Sequence, residues 1–254
     1  MFNFPSDRIP VTLILALSGL DFYLFFTIKS ISVLFSYWIV MMLPKMLICA
    51  WNHHHQHIGT FQYKALDRLL EFFYALHTGV TTHLWRLHHV LGHHLNYLDQ
   101  SKDESRWMRK SGKIMGELYY SFAVTLTAYP RGYKVGKQYP QIQREFVTYA
   151  AITVSILAIL IWLNPIAALF LFILPMITSL LLTAWTTYDH HSGLDTDNVF
   201  SGSRNNLGRI YNILTGNLGY HTAHHYKQGV HWSKLPEIHN EIKSKIPPAL
   251  IVGV

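Results

Sequence analysis

Hydrophobic and polar positions fall into long blocks along this chain rather than alternating locally. Pro10 to Trp51 is apolar apart from Asp21, Lys29 and Lys45, and Val147 to Trp185 contains no charged residue. A bilayer crossing needs about 20 apolar residues in a helix, so each block is long enough for two. Lys29-Ser30 divides the first block and Asn164-Pro165 the second. The pattern predicts spans at about 11–28, 31–50, 147–163 and 166–185, paired as two hairpins with minimal turns. A soluble core helix has no need of so long a charge-free run.

The intervening segments have a different rhythm. Leu66, Leu69, Leu70, Phe73 and Leu76 or His77 recur at helical spacing, which predicts an amphipathic helix. A second piece rich in Leu, Tyr and Phe runs from about Gly116 to Ala128, and Tyr129-Pro130-Arg131-Gly132 reads as the turn that ends it. A further helix is expected around Asn205 to Leu214, and Pro247-Pro248 should break the last one. No strand pattern stands out. The expected fold is an all-α integral membrane protein. It has a single domain over 1–254, with four transmembrane helices as two hairpins under a helical cap.

Charge orients this arrangement. The net charge is +7, with 21 Lys and Arg. Twelve of these lie between residues 52 and 146 and six after 185. Two hairpins put both segments, and both termini, on one side, which the positive-inside rule assigns to the cytoplasm. Topology and contact with anionic lipid account for the basic excess, and no nucleic-acid motif is present. The N-terminus, with Asp7 and Arg8 but no small-residue cleavage site, is expected not to be a secretory signal. The single cysteine, Cys49, can form no intrachain disulfide.

The remaining feature is histidine. Of 17, most fall into four groups: His53-His54-His55-Gln56-His57, His88-His89-Val90-Leu91-Gly92-His93-His94, His190-His191, and His221-Thr222-Ala223-His224-His225. His53 and His57 are four apart and share one helix face, as do His89 and His93, with His94 one residue on. His221 stands three and four residues before His224 and His225. With one ligand from His190 or His191, nine imidazoles are available, too many for a single ion. Two ions of four or five ligands fit the number, and imidazole suits iron, copper, zinc or nickel. The Cys pairs of zinc fingers, the His-Glu-x-x-His of zinc proteases and the Glu-x-x-His of carboxylate di-iron bundles are all missing from the sequence.

The pattern His-x₃-His, His-x₃-His-His and His-x₂-His-His, interleaved with two apolar hairpins, resembles the membrane fatty acid desaturase and hydroxylase superfamily. Gly219-Tyr220-His221-Thr222-Ala223-His224-His225 with Leu235-Pro236-Glu237-Ile238-His239 is similar to that family's last box and its flank. His89-Val90-Leu91-Gly92-His93-His94 is similar to the second box of alkane monooxygenases. The resemblance implies a membrane oxidoreductase with two iron ions that uses O₂ and external electrons to desaturate or hydroxylate a fatty-acyl or other lipid-like chain. The ligands it implies are His53, His57, His89, His93, His94, His191, His221, His224 and His225. His190 is the alternative to His191, because Thr187-Tyr188-Asp189-His190-His191-Ser192-Gly193-Leu194 aligns either way. No fused haem or ferredoxin-like domain is present, so the expected electron donor is a separate ferredoxin, rubredoxin or b-type cytochrome with its reductase. A carotenoid- or alkane-type hydroxylase of the same superfamily, or a membrane zinc hydrolase, is the alternative.

Other residues carry weaker signals. His54, His55, His77, His83, His231 and His239 are expected to be structural or to support ligands, and His88 could replace His89. Asp99, Asp189, Asp195 and Asp197 are candidates to accept a ring N–H from a ligand or are simply solvated. Trp51 and Trp185 end spans, as in an interfacial aromatic belt. Arg106, Arg109 and Lys110 could receive an acidic electron carrier or a phospholipid headgroup, or form a solvated face.

Overall fold

The apolar blocks form long helices because nothing in them competes with the backbone ladder. In the computed structural model, which describes residues 1–253, α1 is Arg8–Thr27, α2 is Ile31–His57 and α5 is Pro140–Leu163. A fourth rod combines α6 (Pro165–Ala168), a π-turn (Leu169–Ile173) and α7 (Leu174–His191). All four rods are long and apolar enough to cross a membrane. Phe26 is 70% exposed, Val154 65% and Trp162 82%, which is costly in water and neutral against lipid. The chain is an all-α integral membrane protein.

The boundaries differ from the expected ones in an informative way. α5 begins at Pro140, whose fixed φ and missing N–H suit a first helical turn. α2 runs on to His57 and α7 to His191, so the histidines after each apolar run are helical.

Two compact units divide the chain, each assembled from separated stretches. The first comprises 1–55, 59–83 and 139–182. Its core gathers Phe25, Leu34, Leu76, Leu160, Leu171 and Phe172. A second cluster holds Val11, Ile14, Ile48, Leu70 and Tyr74. Leu70, Tyr74 and Leu76 come from the amphipathic helix α3 (Lys64–Thr78), which lays its apolar face on α1. Gly79 caps α3 at φ +70°, and a Cβ there would stand 2.9 Å from the Met176 carbonyl, so only glycine fits.

Two of the three charges in the first block are paired inside this unit. Lys45 Nζ donates to Asp21 Oδ2 at 2.8 Å and to the Leu171 carbonyl at 2.8 Å, and Tyr37 donates to Asp21 Oδ1 at 2.7 Å. Pro175, four residues on, has no N–H to offer the Leu171 carbonyl.

The second unit comprises 56–58, 84–138 and the chain from 183 onward. Its elements are a π-helix over Arg86–His94, α4 (Glu117–Gly136), α8 (Arg209–Thr215), α9 (His221–Tyr226) and α10 (Leu235–Ile242). A two-residue parallel pair joins β1 (Asn205–Asn206) to β2 (Ile251–Val252), a small exception to an otherwise strand-free chain. That pairing explains why α8 starts at Arg209 rather than near 205. The expected turn at Tyr129–Gly132 is wrong: α4 continues through Pro130 to Gly136. Gly132 is a packing position, since a Cβ there would meet Leu84 Cδ1 at 2.9 Å, and Arg131 donates to the Glu104 carbonyl. Tertiary contact holds the helix together past its proline.

Candidate metal centre

The second box has an unusual backbone. Residues 86–94 pair i to i+5, as a π-helix, instead of i to i+4. This changes which imidazoles share a face. His89 and His94 converge, with their Nε2 atoms 2.9 Å apart, and His93 is directed to a separate group. The α-helical reading, which paired His89 with His93, is corrected here.

The last box is positioned by polar contacts at its start. Thr222 N–H donates to Asn205 Oδ1 at 3.0 Å, Asn205 Nδ2 donates to Thr222 Oγ1 at 2.8 Å, and Ser203 Oγ lies 2.9 Å from the same oxygen. Gly219 is pressed against the chain at Asn206, whose carbonyl oxygen would lie 1.9 Å from an added Cβ. Together these contacts fix where α9 begins and hence where His221, His224 and His225 point.

Two histidine groups result. In one, His57, His89, His94 and His224 each bring a ring nitrogen within 4.8 Å of the others; His53 precedes His57 by one turn of α2. In the other, His93, His191 and His225 do the same. His221 adjoins it, with its Nε2 3.0 Å from His191 Nε2 and 3.2 Å from His225 Nε2. The consecutive pairs His93-His94 and His224-His225 each divide between the groups, so the two groups are immediate neighbours. The rings of His94 and His225 stack at 4.1 Å. Neither group contains a carboxylate.

The donor chemistry points to cations. His191 Nδ1 lies 2.9 Å from the Gly202 carbonyl, which only accepts, so Nδ1 carries the hydrogen and Nε2 presents a lone pair. His93 Nδ1 donates in the same way to Asp103 Oδ1 at 2.9 Å. The two Nε2 lone pairs then face one another at 3.3 Å in a buried site. They repel unless a cation lies between them. Two nitrogens bound to one ion at about 2.1 Å and a right angle stand about 3.0 Å apart, which matches these separations. Burial, reinforced by neighbouring imidazoles, holds His94 and His225 well below the ordinary histidine range, so both are neutral and ready to bind metal. The residues present fit two metal ions held by imidazole nitrogen.

The remaining candidates separate cleanly. His191, rather than His190, faces the second group. His190 stacks on His221 at 4.0 Å and contacts the Tyr211 hydroxyl at 3.3 Å. His88 is buried away from both groups, with no hydrogen-bond partner on either ring nitrogen. His55 bonds Thr60 and Glu71, His77 bonds Ser18, and His83 bonds Glu145. Asp99 pairs with Lys102, and Asp195 and Asp197 are exposed. The carboxylate that supports a ring is Asp103, which the sequence reading overlooked. It sits between Lys102 and Glu104 in what looks like a solvated run, yet it is buried. Its only sequence signal is its place ten residues after His93.

Neither a curated protein nor a solved structure gives a significant match to this sequence. The sequence model of the fatty acid desaturase family matches residues 30–252, which include the later half of the first apolar block from α2 onward, the whole second block and all four histidine groups. The chain is a member of the fatty acid desaturase family.

Proposed function

We propose that this protein is a membrane-bound di-iron oxygenase that desaturates or hydroxylates a lipid-like hydrocarbon chain. The observation that carries this reading is the pair of adjacent, carboxylate-free imidazole groups whose lone pairs converge. His53, His57, His89, His94 and His224 would hold one iron, and His93, His191, His221 and His225 the other. Bound iron would supply the capacity to activate O₂ toward an unactivated C–H bond. The protein's share is to hold the ligands, keep them neutral and fix their tautomers. Asp103 and the Gly202 carbonyl do this by occupying the Nδ1–H of His93 and His191.

The overall reaction balances with two electrons from a separate donor protein. In desaturation, the substrate loses two hydrogens, and these with O₂, two electrons and two protons give two waters and a carbon–carbon double bond. In hydroxylation, one oxygen enters the substrate and the other leaves as water. The distribution of Lys and Arg supports histidine groups and termini on the cytoplasmic side.

Metal analysis of the purified protein is the test, joined to mass spectrometry of lipids from cells with and without expression. Iron close to two per chain is expected, with lipids that have lost two hydrogens or gained one oxygen. Full zinc occupancy without iron overturns the reading in favour of a hydrolase.

A further inference from the structure

Beyond the metal centre, the second unit holds a concavity of about 440 Å³ in the segment from Gln100 to Gly112. Arg106, Arg109 and Lys110 line it with Gln100 and Ser101, and Met108 is its one apolar side chain. Arg109 and Lys110 are exposed, and neither they nor Arg106 and Lys113 have a carboxylate within ion-pair distance among the described residues. Some surface lysines of this unit are paired, Lys102 with Asp99, Lys227 with Glu241 and Lys234 with Glu237, whereas the three cations here stand together without a carboxylate.

The segment is built to stay in place. Gln100 Oε1 accepts from the backbone N–H of Trp107 and Met108 at 2.9 and 3.1 Å. Met115 N–H donates to the Trp107 carbonyl, Gly112 turns at φ +76°, and Trp107 is buried with Tyr120 and Val124. The Arg109 guanidinium lies 4.4 Å over the Tyr119 ring, which limits its freedom. The cations are thus pre-positioned, and ordering them on binding costs little.

This segment is also tied to the centre. Arg106 N–H donates to the Asp103 carbonyl at 3.2 Å, and Asp103 Oδ1 accepts from His93 Nδ1 at 2.9 Å. Glu104 N–H donates to the Gly92 carbonyl of the π-helix at 3.2 Å. A few covalent and hydrogen bonds therefore connect the basic surface to a proposed iron ligand.

Resting on the oxygenase reading, we infer that this concavity is where an acidic one-electron carrier protein docks, with Arg106–Asp103–His93 as the short route for its electron. Two such encounters, each oxidising one carrier by one electron, meet the demand of one turnover. A phospholipid headgroup is the poorer fit, because the lining offers no adjoining apolar groove for its chains.

The test is anaerobic stopped-flow reduction of the iron-loaded protein in phosphatidylcholine nanodiscs. The reductants are reduced [2Fe–2S] ferredoxin, reduced rubredoxin, and reduced methyl viologen, a small cation that needs no docking surface. For Arg106→Glu/Arg109→Glu/Lys110→Glu, the carrier rate at low ionic strength should fall about tenfold or more and lose its salt dependence. Reduction by methyl viologen should not slow. The milder Arg109→Gln/Lys110→Gln should show a smaller loss in the same direction with unchanged thermal unfolding.

Carrier rates equal to wild type in the triple variant overturn the inference. If such a variant also loses phosphatidylglycerol that co-purifies with wild type, the concavity is a headgroup site instead. Failure of both carriers on a wild-type protein that methyl viologen reduces overturns the docking inference and leaves the oxygenase reading intact. Failure of methyl viologen as well ends both.

Discussion

Asp103 shows how one side chain can set the state of a proposed metal ligand. Its Oδ1 takes the Nδ1–H of His93, which leaves His93 Nε2 as the free donor. Asp103→Asn keeps the shape but offers a weaker acceptor. We expect metal affinity at that group to fall about 10–100-fold with the fold retained, measured by competition with a chelator. The neutral rings make a second prediction. The folded-state pKa values of His94 and His225 lie below the unfolded value of about 6.5. As pH drops through that value, the unfolded chain binds protons that the native metal-free protein cannot. Apoprotein stability should be level above about pH 7.5 and decline below about 6.5, as read by thermal unfolding. At this scale, histidine spacing already picked out the rings that the structure gathers. Asp103 was illegible because burial of a carboxylate in a charged run depends on contacts distant in sequence.

The π-helix is the element that divides the histidines of the second box between the two groups. With 3.6 residues per turn, His89 and His93 would face one way; with i to i+5 pairing, His89 and His94 do. Deleting Leu91 would put His94 four residues after His89, so restoring α-helical register should keep that pair on one face. Metal content and helicity by circular dichroism should then both be largely retained; loss of metal with helicity kept would refute the account of the π-turn as one extra residue accommodated within the ligand register. Gly92 belongs to the same element, because an added Cβ would lie 2.9 Å from Glu104 Cγ and 3.1 Å from the Leu87 carbonyl. The long helices were readable from apolar run length alone, since membrane crossing imposes that length. The π-turn and the passage of α4 through Pro130 were not. Both depend on tertiary contacts, such as Gly132 against Leu84, that local propensity does not contain.

Across the whole molecule, the membrane helices combine lipid-facing apolar surface with an internal charge pair that fixes their arrangement. Lys45 is 0% and Asp21 1% exposed, and Lys45 also donates to the Leu171 carbonyl. One charge removed leaves the other buried and unpaired, which costs about 3–5 kcal/mol. Lys45→Met should therefore destabilise the protein strongly, and Asp21→Asn should do the same by leaving the ammonium without its counter-charge. Asp21→Asn/Lys45→Met removes both charges, so its loss should be smaller than the sum of the single losses. Thermal unfolding in detergent closes this double-mutant cycle. Strict additivity would mean that the pair contributes nothing as a pair. Strong coupling would show that the two charges in the first apolar block are tolerated because each holds the other, with Tyr37 and the Leu171 carbonyl taking their remaining hydrogen bonds.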